Sequence, residues 1–237
     1  MRGLGCLVLL LAVLAAGYFF GRDYVERHPQ DFPWTKLRLE DPVGRFTASK
    51  IASLGEEPQL CRALLATTAV GDEPVPPRRS PPNCGYEDGV RLAGRSTGYS
   101  PAGLVTSCPV AAALHLFEVR VVQPAAQRHF GKEVSQVHHA GSYNCRRIYG
   151  RDEGRFSEHS TADAVDITGF TLESGERVSV LGDWEGGARE AAFLRQVRDG
   201  ACGLFSTVLS PDYNAAHRDH LHLDVANRGT NGWTMCR

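Results

Sequence analysis

Four of the nine histidines fall in two short segments, and it is there that this sequence can do chemistry. The first segment is Ser157-Glu158-His159-Ser160-Thr161-Ala162-Asp163-Ala164-Val165-Asp166, and the second is His217-Arg218-Asp219-His220-Leu221-His222-Leu223-Asp224. Alternate residues of a strand share a face, so a strand over the second segment turns His220, His222 and Asp224 the same way. A strand over Ala164 to Phe170 (AVDITGF) carries Asp166, with His159 just before it. If the two strands are neighbours, His159, Asp166 and His222 converge on one point. Two imidazoles, one carboxylate and an open fourth position form the ligand set of a catalytic zinc. Such an ion, Zn2+, holds a water, lowers its pKa towards ~7 and polarises a carbonyl. His220, beside the expected ligand His222, is placed to take or give a proton near neutral pH. His217 and Asp219 are further acid–base or orienting candidates in the same loop.

Plainer readings stand beside these. A lone H-x-H is common on exposed strands, and the two-part pattern in chain order is what separates it from chance. Asp224 is either a partner that fixes an imidazole or a strand-end charge. His138 and His139 read as structural or as lining the site, while His115 lies on a helix and His129 beyond its end. Gly94-Arg95-Ser96-Thr97-Gly98 fits the G-x-S-x-G nucleophile elbow. That elbow needs a strand before it and a helix after it. Tyr99-Ser100-Pro101-Ala102-Gly103 does not start such a helix.

The elements that must position these residues are legible in outline. With 237 residues, 42% hydrophobic and 22% charged, the chain has enough apolar material for a sizeable core. Lys+Arg 26 against Asp+Glu 27 leaves no basic excess, which argues against nucleic acid as a partner. Glu57 to Val70 reads as a helix, with Leu60, Leu64 and Leu65 on one stripe. The proline-dense run Pro74 to Pro82 reads as an extended surface loop, and Gly89 to Ala93 as a short strand. Thr106 or Ser107 can cap a helix from Pro109, with Ala112, Leu116 and Val119 on its buried stripe and Pro124 kinking or ending it. A further helix spans Ala188 to Val197 and stops at Asp199-Gly200. Strands are expected at 164–170, 177–181 and 220–225. Helices and strands do not alternate regularly. The expected fold is therefore α+β, a mainly antiparallel sheet with flanking helices carrying the zinc site.

Leu4 to Phe20 runs apolar for 17 residues and ends in Tyr18-Phe19-Phe20-Gly21-Arg22. At 1.5 Å per residue that is about 26 Å, close to a bilayer's hydrocarbon core. Residues 1–21 are expected to be an uncleaved membrane anchor, with a cleaved signal peptide as the competing reading. Residues 22–44 read as a polar tether and 45–237 as the functional domain. Cys61, Cys84, Cys108, Cys145, Cys202 and Cys236 make six cysteines beyond the apolar segment, none in a C-x-x-C pair. In an exported chain they imply three disulfides, with 15 possible connectivities.

The segments SEHSTADAVD and HLH resemble the signature of zinc peptidases related to lysostaphin, the D-Ala-D-Ala carboxypeptidases and the hedgehog domain. HRDHLH is similar in spacing to the penicillin-insensitive murein endopeptidases. From about Cys61 to Cys236 the chain resembles the bacterial extensin-like C-terminal domain family, through CGYEDGVRL, CPVAAAL, SYNCRR, SEHSTADAVDI, DGACGLF, VLSPDYNAAHRDHLHLD and the terminal MCR. The resemblance implies His159, Asp166 and His222 as zinc ligands, His220 as the catalytic histidine and His217 as its support. It implies Asp219 in the place of an acidic base and Arg146, in SYNCR, as a substrate-binding arginine; an ion pair of Arg146 with Asp152 or Glu153 is the plainer alternative. Ala162 departs from the glycine usual between the ligands. The implied activity is zinc-dependent hydrolysis of amide bonds in cell-wall (peptidoglycan) peptides. The implied setting is the cell envelope, with the domain in the periplasm, held to the inner membrane through residues 4–20 or secreted if the signal is cleaved. The alternative is a non-catalytic zinc domain that binds cell-wall glycopeptide or a protein partner. A serine hydrolase built on Ser96 is a third reading.

Overall fold

The computed structural model describes residues 2–68, 71–80, 82–93, 96–229 and 233–237, with side chains from residue 4. Helix α1 (Arg2–Arg27) comes first, and its stretch Leu4–Arg27 is long and apolar enough to cross a membrane, with its apolar window unburied by the rest of the molecule. Then come α2 (Thr47–Ser53) and α3 (Pro58–Thr67). Short strands come next: β1 (Glu73–Pro74), β2 (Arg78–Ser80), β3 (Cys84–Tyr86), β4 (Val90–Arg91), β5 (Gly98–Ser100) and β6 (Val105–Thr106). Helix α4 (Cys108–Phe117) continues through a π-turn (Glu118–Val122) into α5 (Gln123–Phe130). The remainder is β7 (Val134–Gly141), β8 (Ala164–Leu172), β9 (Arg177–Ser179), α6 (Val180–Asp183), α7 (Ala188–Ala201), β10 (Thr207–Leu209), β11 (Leu221–Asp224) and β12 (Met235–Cys236).

The main sheet has the order β12-β10-β11-β8-β7-β5. Its centre is antiparallel, and its two outer pairs, β10 with β12 and β5 with β7, are parallel. The first half of β8 pairs with β11 and its second half with β9. Period-2 alternation divides the sheet's faces. Val165, Ile167, Leu221 and Leu223 are fully buried in the hydrophobic core, which they share with α4, α5 and α7. Phe170 of β8 meets Phe193 of α7 with ring centroids 5.3 Å apart. Asp166, His222 and Asp224, at the intervening positions, point away from that core and line a cleft. The fold is α+β, as expected, with mixed as well as antiparallel pairing.

Several local expectations are corrected. Val110 to Leu114, Leu116 and Phe117 are all buried, so α4 is apolar nearly all round and not a one-stripe helix. Val119 leaves the stripe and is 45% exposed, because the π-turn adds a residue and rotates the chain beyond it. That turn also lets the helix run on through Pro124, whose missing N–H and ring would otherwise break it. Ser107 occupies the N-cap position of α4 without a side-chain capping bond; the Cys108 N–H is met instead by Asp88 Oδ2 at 3.2 Å. Helix α7 runs on through Asp199-Gly200 to Ala201. Part of the proline-rich run is strand, Arg78–Ser80 pairing with Cys84–Tyr86, while Pro81 lies outside the described residues, as do Ala69 and Val70. The stretch read as a tether divides in two. Residues 22–27 continue α1, and beyond them Leu37, Leu39 and Val43 pack on the core, Leu39 at 4% exposure.

The six cysteines pair as Cys61–Cys108, Cys84–Cys145 and Cys202–Cys236. The first joins α3 to the start of α4, and the third ties the end of α7 to edge strand β12. The second fastens the β2–β3 hairpin to the segment between β7 and β8 that forms one wall of the cleft.

Candidate metal centre

Strand register puts the first two donors together. His222 of β11 lies directly opposite Asp166 of β8, and cross-strand neighbours of this kind have Cβ atoms about 4.5–5.5 Å apart. His159 comes from a 3-10 turn, Glu158–Thr161, that leads into β8; Ser157 caps the turn by accepting from the His159 N–H. Ala162 ends the turn at φ +62°, a left-handed conformation that costs an L-residue about 1–2 kcal/mol relative to glycine. A glycine would meet that conformation freely, and alanine meets it at a cost. The Ala162 carbonyl accepts from Ser107 N at 3.0 Å and from Ser142 Oγ at 3.2 Å, which holds the turn in place.

The donor atoms form a small triangle. His159 Nε2 is 3.2 Å from Asp166 Oδ1 and 3.2 Å from His222 Nδ1, and His222 Nδ1 is 3.0 Å from Asp166 Oδ1. Each imidazole is oriented by its other nitrogen. His159 Nδ1–H donates to the Ser142 carbonyl at 2.6 Å, and His222 Nε2–H donates to Asp224 Oδ2 at 3.3 Å. Asp224 is itself buried, and its Oδ1 accepts from Ala226 N at 3.1 Å. With those protons placed, two imidazole lone pairs and a carboxylate oxygen face one another at hydrogen-bond distance. They repel unless a cation lies between them. Three tetrahedral donors about 2.0–2.1 Å from one ion lie about 3.3 Å apart, so the triangle fits zinc. His159, Asp166 and His222 are the group of the described residues that could hold a metal ion.

The electrostatics report the same demand. Burial opposes ionisation of Asp166, but hydrogen bonds from His159 and His222 outweigh it and hold the carboxyl far below the usual carboxylate range. Burial also opposes charge on His222, yet its bonds to Asp166 and Asp224 raise it to about 9. In the metal-free protein a proton takes the place of the cation.

The triangle opens into a cleft of about 390 Å³. His220 stands at its edge, with Nδ1–H donating to Asp219 Oδ1 at 2.8 Å and Nε2 3.6 Å from Asp166 Oδ1. Asp219 is half exposed and held below the usual carboxylate range by that bond to His220. His217 Nδ1–H donates to Asn214 Oδ1 at 2.8 Å, and its ring lies 5.3 Å from His220 and 6.0 Å from His222. Burial, then the charges of His220 and His222, lower His217 to about 4. Arg146 lines the same cleft. So do two residues with no sequence signal, Arg155 and Arg228, and the Glu158 carboxyl in the same lining interacts electrostatically with both. Arginine has no spacing signature, and only the cleft's shape brings these together. Tyr149 forms part of the rim at φ +58°, its hydroxyl accepting from Asn214 Nδ2 at 3.2 Å.

The other candidates lie apart. His138 Nε2 meets Thr171 Oγ1 at 2.7 Å, and His139 Nε2 meets the Pro101 carbonyl at 2.8 Å. His129 Nε2 bonds Gln196 Oε1 at 3.0 Å. Of the G-x-S-x-G match, Gly94 and Arg95 fall outside the described residues, and Gly98 opens strand β5, where an elbow requires a helix. A larger hollow of about 550 Å³, lined by Arg78, Tyr86, Asp88 and Asp163 among others, contains no histidine.

A family model described as "Extensin-like protein C-terminus" matches residues 59–237. No curated protein and no solved structure matches the chain.

Proposed function

Because the chain belongs to the extensin-like C-terminal family, we propose that this domain of it is a zinc-dependent hydrolase of amide bonds in cell-wall peptides. The observation that carries the reading is the donor triangle at the mouth of a cleft, each imidazole fixed by a partner behind it. Zinc held by His159, Asp166 and His222 would supply a Lewis acid and a nucleophilic water at neutral pH.

The chain's own residues do the rest. Asp219 fixes the tautomer of His220, which leaves Nε2 a base directed at the cluster. From there His220 takes a proton from the attacking water and returns it to the leaving amine. Arg146 holds the substrate and stabilises negative charge as it grows on the carbonyl oxygen. His217, kept neutral by burial, is a positioning residue that packs against His220 and ties it through Asn214 to the cleft rim. Arg155 and Arg228 add positive charge to the walls and suit a substrate with carboxylates near the scissile bond. The apolar helix α1 and the three disulfides support an envelope setting, membrane-anchored with the domain in the periplasm.

Digestion of purified peptidoglycan by the zinc-loaded full chain in detergent tests the proposal. Turnover that chelation abolishes, and that His220→Ala lowers by about 10²–10⁴-fold with zinc retained, supports it. Bound zinc without turnover in the wild type would assign the domain to wall binding instead.

A further inference from the structure

The domain enters directly from the end of α1, with no free linker between them. His28 alone separates Arg27 from a 3-10 turn at Pro29–Asp31. That turn is held to α2 and the residues before it. The Lys50 ammonium, itself buried, donates to the Pro29 carbonyl at 2.8 Å and to Thr35 Oγ1 at 2.7 Å. Asp31 Oδ1 accepts from Arg45 N at 3.0 Å, and the Gln30 carbonyl from Phe46 N at 3.1 Å.

The chain then folds back beside the helix. Phe32 lies 6.1 Å from Tyr24, Trp34 lies 5.2 Å from Phe32, and His28 lies 4.6 Å from Tyr24. Tyr24 is four residues past Phe20, about 6 Å along the axis, and so at headgroup depth if Leu4 to Phe20 fills the hydrocarbon core. Trp34 is 72% exposed and Tyr24 56%, with Lys36 exposed nearby. Tyrosine and tryptophan rings, with a polar edge on an apolar body, suit the bilayer interface at this depth.

We propose that Tyr24, Phe32 and Trp34 form an aromatic collar that beds in the lipid headgroup layer and, with the clamped 29–35 segment, pins the domain to the membrane surface. The occupant of this exposed apolar patch is the bilayer itself, because the patch continues from the apolar helix and sits at the level where that helix leaves the hydrocarbon. The cleft therefore works on material next to the membrane and cannot swing outward on a tether.

The experiment uses the full chain reconstituted in phosphatidylcholine–phosphatidylglycerol vesicles, with or without lipid brominated near the top of the acyl chains. The emission difference between wild type and Trp34→Phe isolates Trp34 from Trp184 and Trp233. The expected result is loss of most of the Trp34 emission in brominated vesicles. An unquenched Trp34 overturns the proposal, whether the ring is in water or is covered by a second copy or another protein. A second variant, Phe32→Ser with Trp34→Ser, remains inserted through α1 and should lower the rotational anisotropy of a dye on the domain; unchanged anisotropy overturns the pinning. Recovery of the mature chain without α1 overturns both.

Discussion

His159 and His222 meet above β8 and β11, while His138 and His139 lie side by side on β7, one strand away in the same sheet. The residue type is the same and the surroundings are opposite. Two carboxylates, Asp166 and Asp224, face His222 and raise it to about 9 against the burial that opposes its charge. His138 and His139 find a hydroxyl and a carbonyl. Burial lowers both, and for His138 the charge of Arg177 adds to it. A histidine is set up to bind a metal when its lone pair is aimed at other lone pairs and its far nitrogen is engaged, the arrangement of the proposed ligands His159 and His222. His138 and His139 each engage one ring nitrogen in a hydrogen bond, and the Nδ1 of His139, buried without a partner, has no second donor set among the described residues aimed at it that would frame a cation.

The sharpest way to break this contrast is to remove one histidine from each set. His222→Ala should lower zinc affinity by more than about 100-fold, judged against the 10–100-fold cost of losing even an outer partner. His139→Ala should leave it unchanged; titration of the metal-free full chain reads both. Equal losses would mean that the two sets are not distinct.

Asp224→Asn sharpens the comparison at the partner behind the proposed ligand His222. It leaves His222 in place with a neutral acceptor, and zinc affinity should fall by about 10–100-fold by isothermal titration. An unchanged affinity would make Asp224 an ordinary strand-end charge.

The smallest effect is in pH dependence of stability without metal. His222 has its folded pKa raised from 6.5 to about 9, so its contribution is complete below 6.5 and is lost as pH rises through 9. His217, lowered to about 4, acts the other way: the folded state resists its protonation, and stability drops as pH falls from 6.5 towards 4. Asp166, held low, loses its contribution at still more acid pH. Thermal melts in chelator should therefore peak near pH 6.5 and decline towards 9. With zinc bound, His222 is already deprotonated and the alkaline decline should shrink. A decline of equal size with and without zinc would sink the assignment of that proton to His222.

Particular residues show what could be read in advance and why. The strands over 164–170 and 220–225 are legible because Val165, Ile167, Leu221 and Leu223 alternate with polar residues, and β8 and β11 confirm both. Strand β7 is not legible. Its register shifts between Val134 and Gln136, between His138 and His139 and again before Gly141, and each shift breaks the period of 2 on which recognition depends. The apolar residues of α4 surround the helix, so no single stripe could be drawn through them. Disulfide pairing was closed to sequence reasoning, since Cys61 and Cys108 are 47 residues apart and meet only when α3 docks on α4.

The sequence by itself determined the period-2 patterns that give β8 and β11 one polar face each, the cysteines available for pairing, the long apolar helix and the residue types at the cleft. Tertiary structure decided the rest: which strands are neighbours, and hence that His222 lies opposite Asp166. It also set Ser142 and Asp224 behind the imidazoles and gathered Arg146, Arg155 and Arg228 around one cleft. The physical reason is range. Side-chain direction along a strand is set by local backbone geometry, whereas the meeting of residues 63 positions apart, such as His159 and His222, depends on how the whole core packs.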